Sequence, residues 1–421
     1  MLLTSEEILK RFGGKTEGSI LTRQIVIAQG AMDELEKELS LRYAAVKKVV
    51  VCDSNTVGIL KGYNLGFTES IVLPADALHA DEEAVALVMG QMKDPGVLIA
   101  FGSGTIHDIV RWCAHEIGKP FISCPTAASV DGFCSSVSAM TWYGYKKTIP
   151  GVAPDAVFAD LDIISRAPVR LARSGIGDML GKYTSTADWR IATLLTGEYY
   201  SDEVVSIMQE ALEAVTGSLP GIQSGSIQSY EALMYGLIMS GIAMQYVGNS
   251  RPASGAEHHF SHLTEMGVMG ENNALHGEKV GIAAIMISKI YHMFSGYDAA
   301  VIREHMGRYH IYDDETVGRV FGALREHIEN ENSNDRVLED IGDTVVSRWQ
   351  DIGEIIKEIP EDDQLRKLLL LAGAKTTPEE IGLSSTEAYS YIRYAPLVRN
   401  RLTFLRVLAF CGLLDSSLFY Q

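Results

Sequence analysis

Along the first 165 residues, short runs of β-branched and apolar residues alternate with stretches of helical period. The runs fall at 24–28, 48–52, 70–73, 96–101, 120–123 and 156–158, with helical spacing over 32–39, 81–92 and 105–117. Strand, helix, strand in repetition predicts a parallel sheet with crossover helices. The strand-like runs stop near Pro168, and from Arg170 onward the period is helical. Val204, Met208, Ala211, Leu212 and Val215, for example, share one helix face. Polar breaks at 331–335 and 361–363 punctuate this half. The pattern predicts a Rossmann-like α/β domain over residues 1–165 and an all-α helical domain over 166–421, divided within 160–168.

Composition narrows the partners. The 421 residues are enough for two domains that each bury a core. No uncharged apolar run approaches the length of a membrane span, so insertion is not expected. The opening Met-Leu-Leu-Thr-Ser-Glu-Glu lacks the basic flank of a signal peptide. Cys52, Cys113, Cys124, Cys134 and Cys411 are odd in number, form no C-x-x-C pair and sit mostly in apolar runs. That pattern fits reduced core thiols of a cytoplasmic protein. The net charge of −18 repels phosphodiester backbones and anionic lipid, which argues against nucleic acid as a partner. A small phosphorylated substrate would then need local cations or backbone N–H groups.

Candidate chemistry begins where the run at 96–101 enters Gly102-Ser-Gly-Thr-Ile-His-Asp108 ahead of a predicted helix. Glycines there let N–H groups approach a phosphate at a helix N-terminus; a tight turn without ligand is the alternative. Asp53 ends an earlier run and suits either the ribose hydroxyls of a dinucleotide or a cap. Thr126, Ser129 and Ser135 are hydroxyl donors in a Pro- and Gly-bounded segment that suits a ligand-lining loop. Asp131 among them suits a substrate hydroxyl or a helix cap. In Ser174-Gly-Ile-Gly-Asp178, Asp178 is expected on the first turn of a helix. His258 and His262, four apart, share a helix face, and His276 heads a further helix. A carboxylate with two imidazoles suits zinc, nickel or iron and leaves a position open; separate core or surface histidines are the alternative. His259 points about 100° from His258 and reads as structural.

The motif order resembles the superfamily of dehydroquinate synthase, glycerol dehydrogenase and iron-type alcohol dehydrogenase. Within it, the chain is most similar to the bacterial branch of the sn-glycerol-1-phosphate dehydrogenase family. The strings that carry this are Pro125-Thr-Ala-Ala-Ser-x-Asp-Gly132, Gly177-Asp178 with Tyr183-Thr184 and Asp188-Trp189, Arg251-Pro-Ala-Ser-Gly-x-Glu-His258-x-x-x-His262, and His276-Gly-Glu-x-Val-Gly281. The resemblance implies a dehydroquinate synthase-like fold and NAD(H), with NADP(H) as an alternative. Its cofactor contacts would be Gly104, Thr105, Ile106, His107, Asp108, Thr126, Ala127, Ala128, Ser129 and Ser135, with Asp53 at the ribose. It implies one divalent ion on Asp178, His258 and His276, zinc or nickel ahead of iron. Asp131, Asp178 and His262 would bind substrate and take part in catalysis. The implied reaction is reversible reduction of dihydroxyacetone phosphate to sn-glycerol 1-phosphate, in a homo-oligomer, a dimer first. Ser103 departs from the superfamily's usual G-G-G, and the substrate phosphate falls to Arg251 or Lys182. Three rivals are an unphosphorylated-polyol dehydrogenase, a dehydroquinate synthase-like lyase and a non-catalytic NAD sensor. The lyase's metal carboxylate is typically Glu where Asp178 stands, and the sensor would need no metal.

Overall fold

The computed structural model describes residues 1–12, 20–270, 272–306, 314–333 and 341–415. A seven-stranded sheet is built from β1 (Leu2–Thr4), β2 (Gln24–Ala28), β3 (Lys48–Asp53), β4 (Glu69–Leu73), β5 (Val97–Gly102), β6 (Phe121–Pro125) and β9 (Ala156–Asp160). Their order is β1-β2-β9-β6-β5-β3-β4, parallel throughout except for β1 against β2. Each expected strand is present, the run at 24–28 with the same bounds and the others longer or shifted by one or two residues.

The runs are continuous rather than alternating because both faces are covered. On one face, Met32, Leu35 and Leu39 of α2 (Ala31–Leu41) join the cluster of Val50, Phe101, Ile122 and Phe158. On the other, Val88 of α4 (Glu82–Gln91) and Ile109, Val110 and Cys113 of α5 (Gly104–Glu116) join Val49, Val51 and Leu98. Because β5 lies between β3 and β6, their carboxyl ends bring Asp53, the turn at 102–104 and the loop at 126–135 to one edge. That is where parallel α/β sheets bind ligands.

Strand β1 and the hairpin of β7 (Val137–Trp142) and β8 (Tyr145–Pro150) were not expected from the pattern. The hairpin turns at Tyr143 and Gly144, both at positive φ (51° and 79°), as a tight two-residue turn requires. Tyr143 hides this from a reading tuned to Asn-Gly.

The remaining helices used below are α1 (Ser5–Arg11), α3 (Val57–Leu60), α6 (Leu161–Ile164), α7 (Val169–Leu180), α8 (Lys182–Thr196), α9 (Asp202–Gln223), α10 (Ile227–Val247), α11 (Ala256–Glu265) and α12 (His276–Ser295). The chain forms two compact units, Met1–Met179 with Glu203–Pro252, and Leu180–Asp202 with Ala253–Gln421. They are not contiguous in sequence, whereas the pattern changes once, at 160–168. Helix α10 belongs with the sheet because Gln245 donates to the carbonyl of Cys134 and to Thr22 Oγ1 (2.8 Å), and its apolar faces are buried.

The second unit is helical among its described residues. Asp188 on α8 ties it together, accepting from Ala256 N of α11 (2.9 Å), Tyr291 OH of α12 (2.8 Å) and Phe404 N (2.7 Å). Of the expected polar breaks, 361–363 contains Glu361, the N-cap of a helix at Asp362–Leu371, while 334 and 335 lie outside the described residues. All five cysteines are buried and unpaired. No helix among the described residues is long and apolar enough to cross a membrane.

Candidate active site

At the β5–α5 junction the glycines meet side chains closely. A Cβ on Gly102 would lie 2.6 Å from Ile106 Cγ1, and one on Gly104 2.6 Å from Val130 Cγ2. Small residues are therefore needed for helix, strand and loop to close on one another. Ser103 is the N-cap and makes no side-chain cap bond. His107 is buried, its Nδ1 2.9 Å from the Ser103 carbonyl and its ring edge-on to Phe133. Burial pushes its pKa down to about 3, so the imidazole is neutral. Asp108 pairs with the fully buried Arg111 at 2.7 Å. Thr105 and Ile106 lie in the first turn of α5.

The loop at 126–135 is fastened from several sides. Thr126 N donates to the Gly102 carbonyl (3.0 Å), Ser174 Oγ to the Ser129 carbonyl (3.2 Å), and Arg111 to the Gly132 carbonyl. Thr126, Ala127, Ala128, Ser129 and Ser135 are buried. Ser135 Oγ bonds within its own turn to Val137, whereas the buried Ser129 Oγ has no partner among the described residues. A buried hydroxyl without a partner is costly, and a ligand in this loop would satisfy it. Asp53 accepts from Asn55 N (2.9 Å), Thr56 N (2.9 Å) and Thr56 Oγ1 (3.0 Å), all on Oδ1. One oxygen thus caps the turn into α3.

Asp131 is buried, and its Oδ2 accepts from Ser240 Oγ of α10 at 2.8 Å. Its backbone N–H donates to Asp178 Oδ2 at 2.9 Å. Asp178 is not on a first helical turn as the pattern predicts; it lies in the last turn of α7, which starts at Val169 directly after Pro168. Gly175, which reads as a helix opening, is an interior contact: a Cβ there would lie 2.2 Å from the Ala128 carbonyl.

The three histidine rings lie close together. The rings of His258 and His276 are 5.2 Å apart, and His262 lies 6.2 and 6.0 Å from them. His258 Nδ1 is 2.8 Å from Glu257 Oε1, and His276 Nδ1 is 2.8 Å from Glu265 Oε1. His258 and His276 both belong to the second unit, and Asp178 to the first. His259 turns away and is fully buried; burial and the charges of Arg401, Arg399 and Arg406 hold it well below its usual pKa. Lys182 is fully buried and donates to the Ala253 carbonyl (2.9 Å). Arg251 is half-buried in the segment after α10, where its N–H donates to Asn249 Oδ1. Glu257, Glu265, Thr184, Ser240 and Arg111 were missed in the sequence. Glu257 and Arg111 had local signals, one residue from His258 and three from Asp108; Thr184 stands in a quoted motif string but without a role, Glu265 is three from His262, and Ser240 had none.

A parallel sheet with a ligand edge and a carboxylate–imidazole cluster define a metal-assisted dehydrogenase class, and the iron-containing alcohol dehydrogenase family profile matches residues 26–168. A probable glycerol dehydrogenase from Sinorhizobium meliloti 1021 shares the fold, with a TM-score of 0.61 and 14% identity over 93% of this chain and 95% of that one. Sequence relatives are nearer. The glycerol-1-phosphate dehydrogenase [NAD(P)+] of Bacillus subtilis (strain 168) is 36% identical over 92% of this chain and 91% of its own. That of Geobacillus thermodenitrificans (strain NG80-2) is 32% identical over 97% and 98%. The chain belongs to the glycerol-1-phosphate dehydrogenase family.

Proposed function

We propose that this enzyme uses NAD(P)H to reduce dihydroxyacetone phosphate to sn-glycerol 1-phosphate, reversibly. The observation that carries the reading is the pair of imidazoles, each with Nδ1 on a carboxylate, to which the motif match adds the Asp178 carboxylate. Three such donors fit a divalent ion and leave a coordination position open. When bound, the ion supplies Lewis-acid polarisation of the substrate carbonyl. Asp178, His258 and His276 would hold it, with the Asp131 N–H keeping the Asp178 carboxylate oriented. Asp131, steadied by Ser240, and His262 would hold the substrate hydroxyls, and His262 would carry the proton. The α5 N-terminus and the 126–135 loop would seat the nicotinamide cofactor, with Asp53 Oδ2 toward its ribose. Arg251 or Lys182 would meet the substrate phosphate. Zinc or nickel as the ion, a homodimer and a cytoplasmic setting belong to the same reading; elemental analysis and light scattering test the first two.

A substrate bound through its carbonyl, its hydroxyl end and its phosphate end meets the cofactor with one face. With NAD, the enzyme is expected to oxidise sn-glycerol 1-phosphate, to leave sn-glycerol 3-phosphate untouched and to ignore unphosphorylated glycerol. Comparable NADH formation from both enantiomers, or faster turnover of glycerol, defeats the reading.

A further inference from the structure

The ion-binding histidines proposed above are each backed by a carboxylate that no ligand role requires. Glu257 is fully buried on α11, where an unpartnered carboxylate would be strongly disfavoured. It accepts from His258 Nδ1 (2.8 Å), Gly255 N (2.7 Å) and Thr184 Oγ1 (2.5 Å). Glu265, two turns along the same helix, accepts from His276 Nδ1 (2.8 Å) and Ser261 Oγ (2.9 Å). The two arrangements come from different residues and different spacings, yet have the same outcome. An Nδ1 that donates to a carboxylate carries the proton, so the lone pair is on Nε2. The strings Tyr183-Thr184, Asp188-Trp189 and Gly255-x-Glu257-His258 then converge. Thr184 braces Glu257, and Asp188 holds the first N–H of the helix that carries both glutamates.

We propose that Glu257 and Glu265 are positioning residues that fix the Nδ1–H tautomers of His258 and His276 and make their Nε2 atoms stronger donors to a divalent cation. Neither touches the ion. Carboxylates behind metal-bound imidazoles raise metal affinity by about tenfold to a hundredfold. Glutamine keeps an acceptor for Nδ1–H and drops the charge, whereas alanine drops both, so the series orders the two contributions. A carboxylate that merely tied α11 to α12 would alter thermal stability and leave ion affinity alone.

The test rests on the metal-ligand reading and separates the two. Zinc dissociation constants are measured by chelator competition for the full-length protein and for Glu265→Gln, Glu265→Ala, Glu257→Gln and His276→Ala. Visible spectra are recorded after cobalt loading. Expected are a weakening of about tenfold for Glu265→Gln, up to about a hundredfold for Glu265→Ala, and a shifted cobalt spectrum in the latter. Should Glu257→Gln fail to fold by circular dichroism, the partly exposed Glu265 pair decides alone. If His276→Ala loses zinc while Glu265→Ala binds it as tightly as the wild type, the proposal falls and the ligand set stands. If His276→Ala binds like the wild type, the ligand set falls and takes the proposal with it.

Discussion

Asp53 shows how one side chain can serve two readings. Its Oδ1 caps the turn before α3 through Asn55 and Thr56, the plain structural role, yet Asp53 sits at the sheet's ligand edge. A negative oxygen there accepts from ribose hydroxyls and repels the additional phosphate of NADP. The enzyme is expected to prefer NADH, with NADPH usable. Asp53→Asn keeps an acceptor for the cap while removing the charge, and should narrow the ratio of kcat/KM for NADH over NADPH by about tenfold or more. A wild type that favours NADPH, or an unchanged ratio in the variant, contradicts the ribose assignment. At this scale the histidines were legible, because four-residue spacing on a helix forces a shared face. The partner of His276 was not: Glu265 lies 11 positions away and reaches it only because α11 packs on α12.

Helix α7 illustrates the next scale. Its Ser174-Gly-Ile-Gly run reads as a helix opening, whereas Gly175 is the point where the helix presses on the 126–131 loop. Through Ser174 and Asp178 the same helix holds the Ser129 carbonyl and the Asp131 N–H. A methyl group at 175 would collide with backbone, which cannot swing aside as a side chain can. Gly175→Ala is expected to destabilise by about 1–3 kcal/mol and to raise the KM for the cofactor, because helix and loop must separate. Urea unfolding and steady-state kinetics check this; a variant with wild-type stability and KM would mean the contact relaxes without consequence. The strands were legible as elements, since continuous Val, Ile and Leu runs mark a sheet covered on both faces. The β7–β8 hairpin was not, because Tyr143 stands where Asn or Gly usually signals the turn.

For the molecule as a whole, pH acts in opposite senses on the two compact units. His107, in the sheet-bearing unit, is pushed down to about 3 by burial. As pH falls below about 6.5 the unfolded chain takes up a proton that the folded one refuses, so this unit loses about 1.4 kcal/mol per pH unit toward 3. Asp188, in the helical unit, is pushed up to about 7 by burial and by the charge of Glu257. Its folded form keeps a proton that the unfolded chain releases above about 4, so its contribution is present at low pH and lost as pH rises to 7. Hydrogen exchange at pH 5 and pH 7, corrected for intrinsic rates, should show α5 less protected and α8 more protected at the lower pH. His107→Gln should flatten the first response and Asp188→Asn the second. Parallel loss in both units would refute the assignment of these two groups. What could be read before folding was whatever depends on near neighbours: strand and helix periods, the glycine junction, the histidine spacing, and motifs long enough to place the family. Tertiary structure alone decided which helices join the sheet, where Asp178 falls in its helix, and that Glu265 stands behind His276. Those contacts join residues up to 223 positions apart, as from Thr22 to Gln245, and no local pattern records them because only packing brings the partners together.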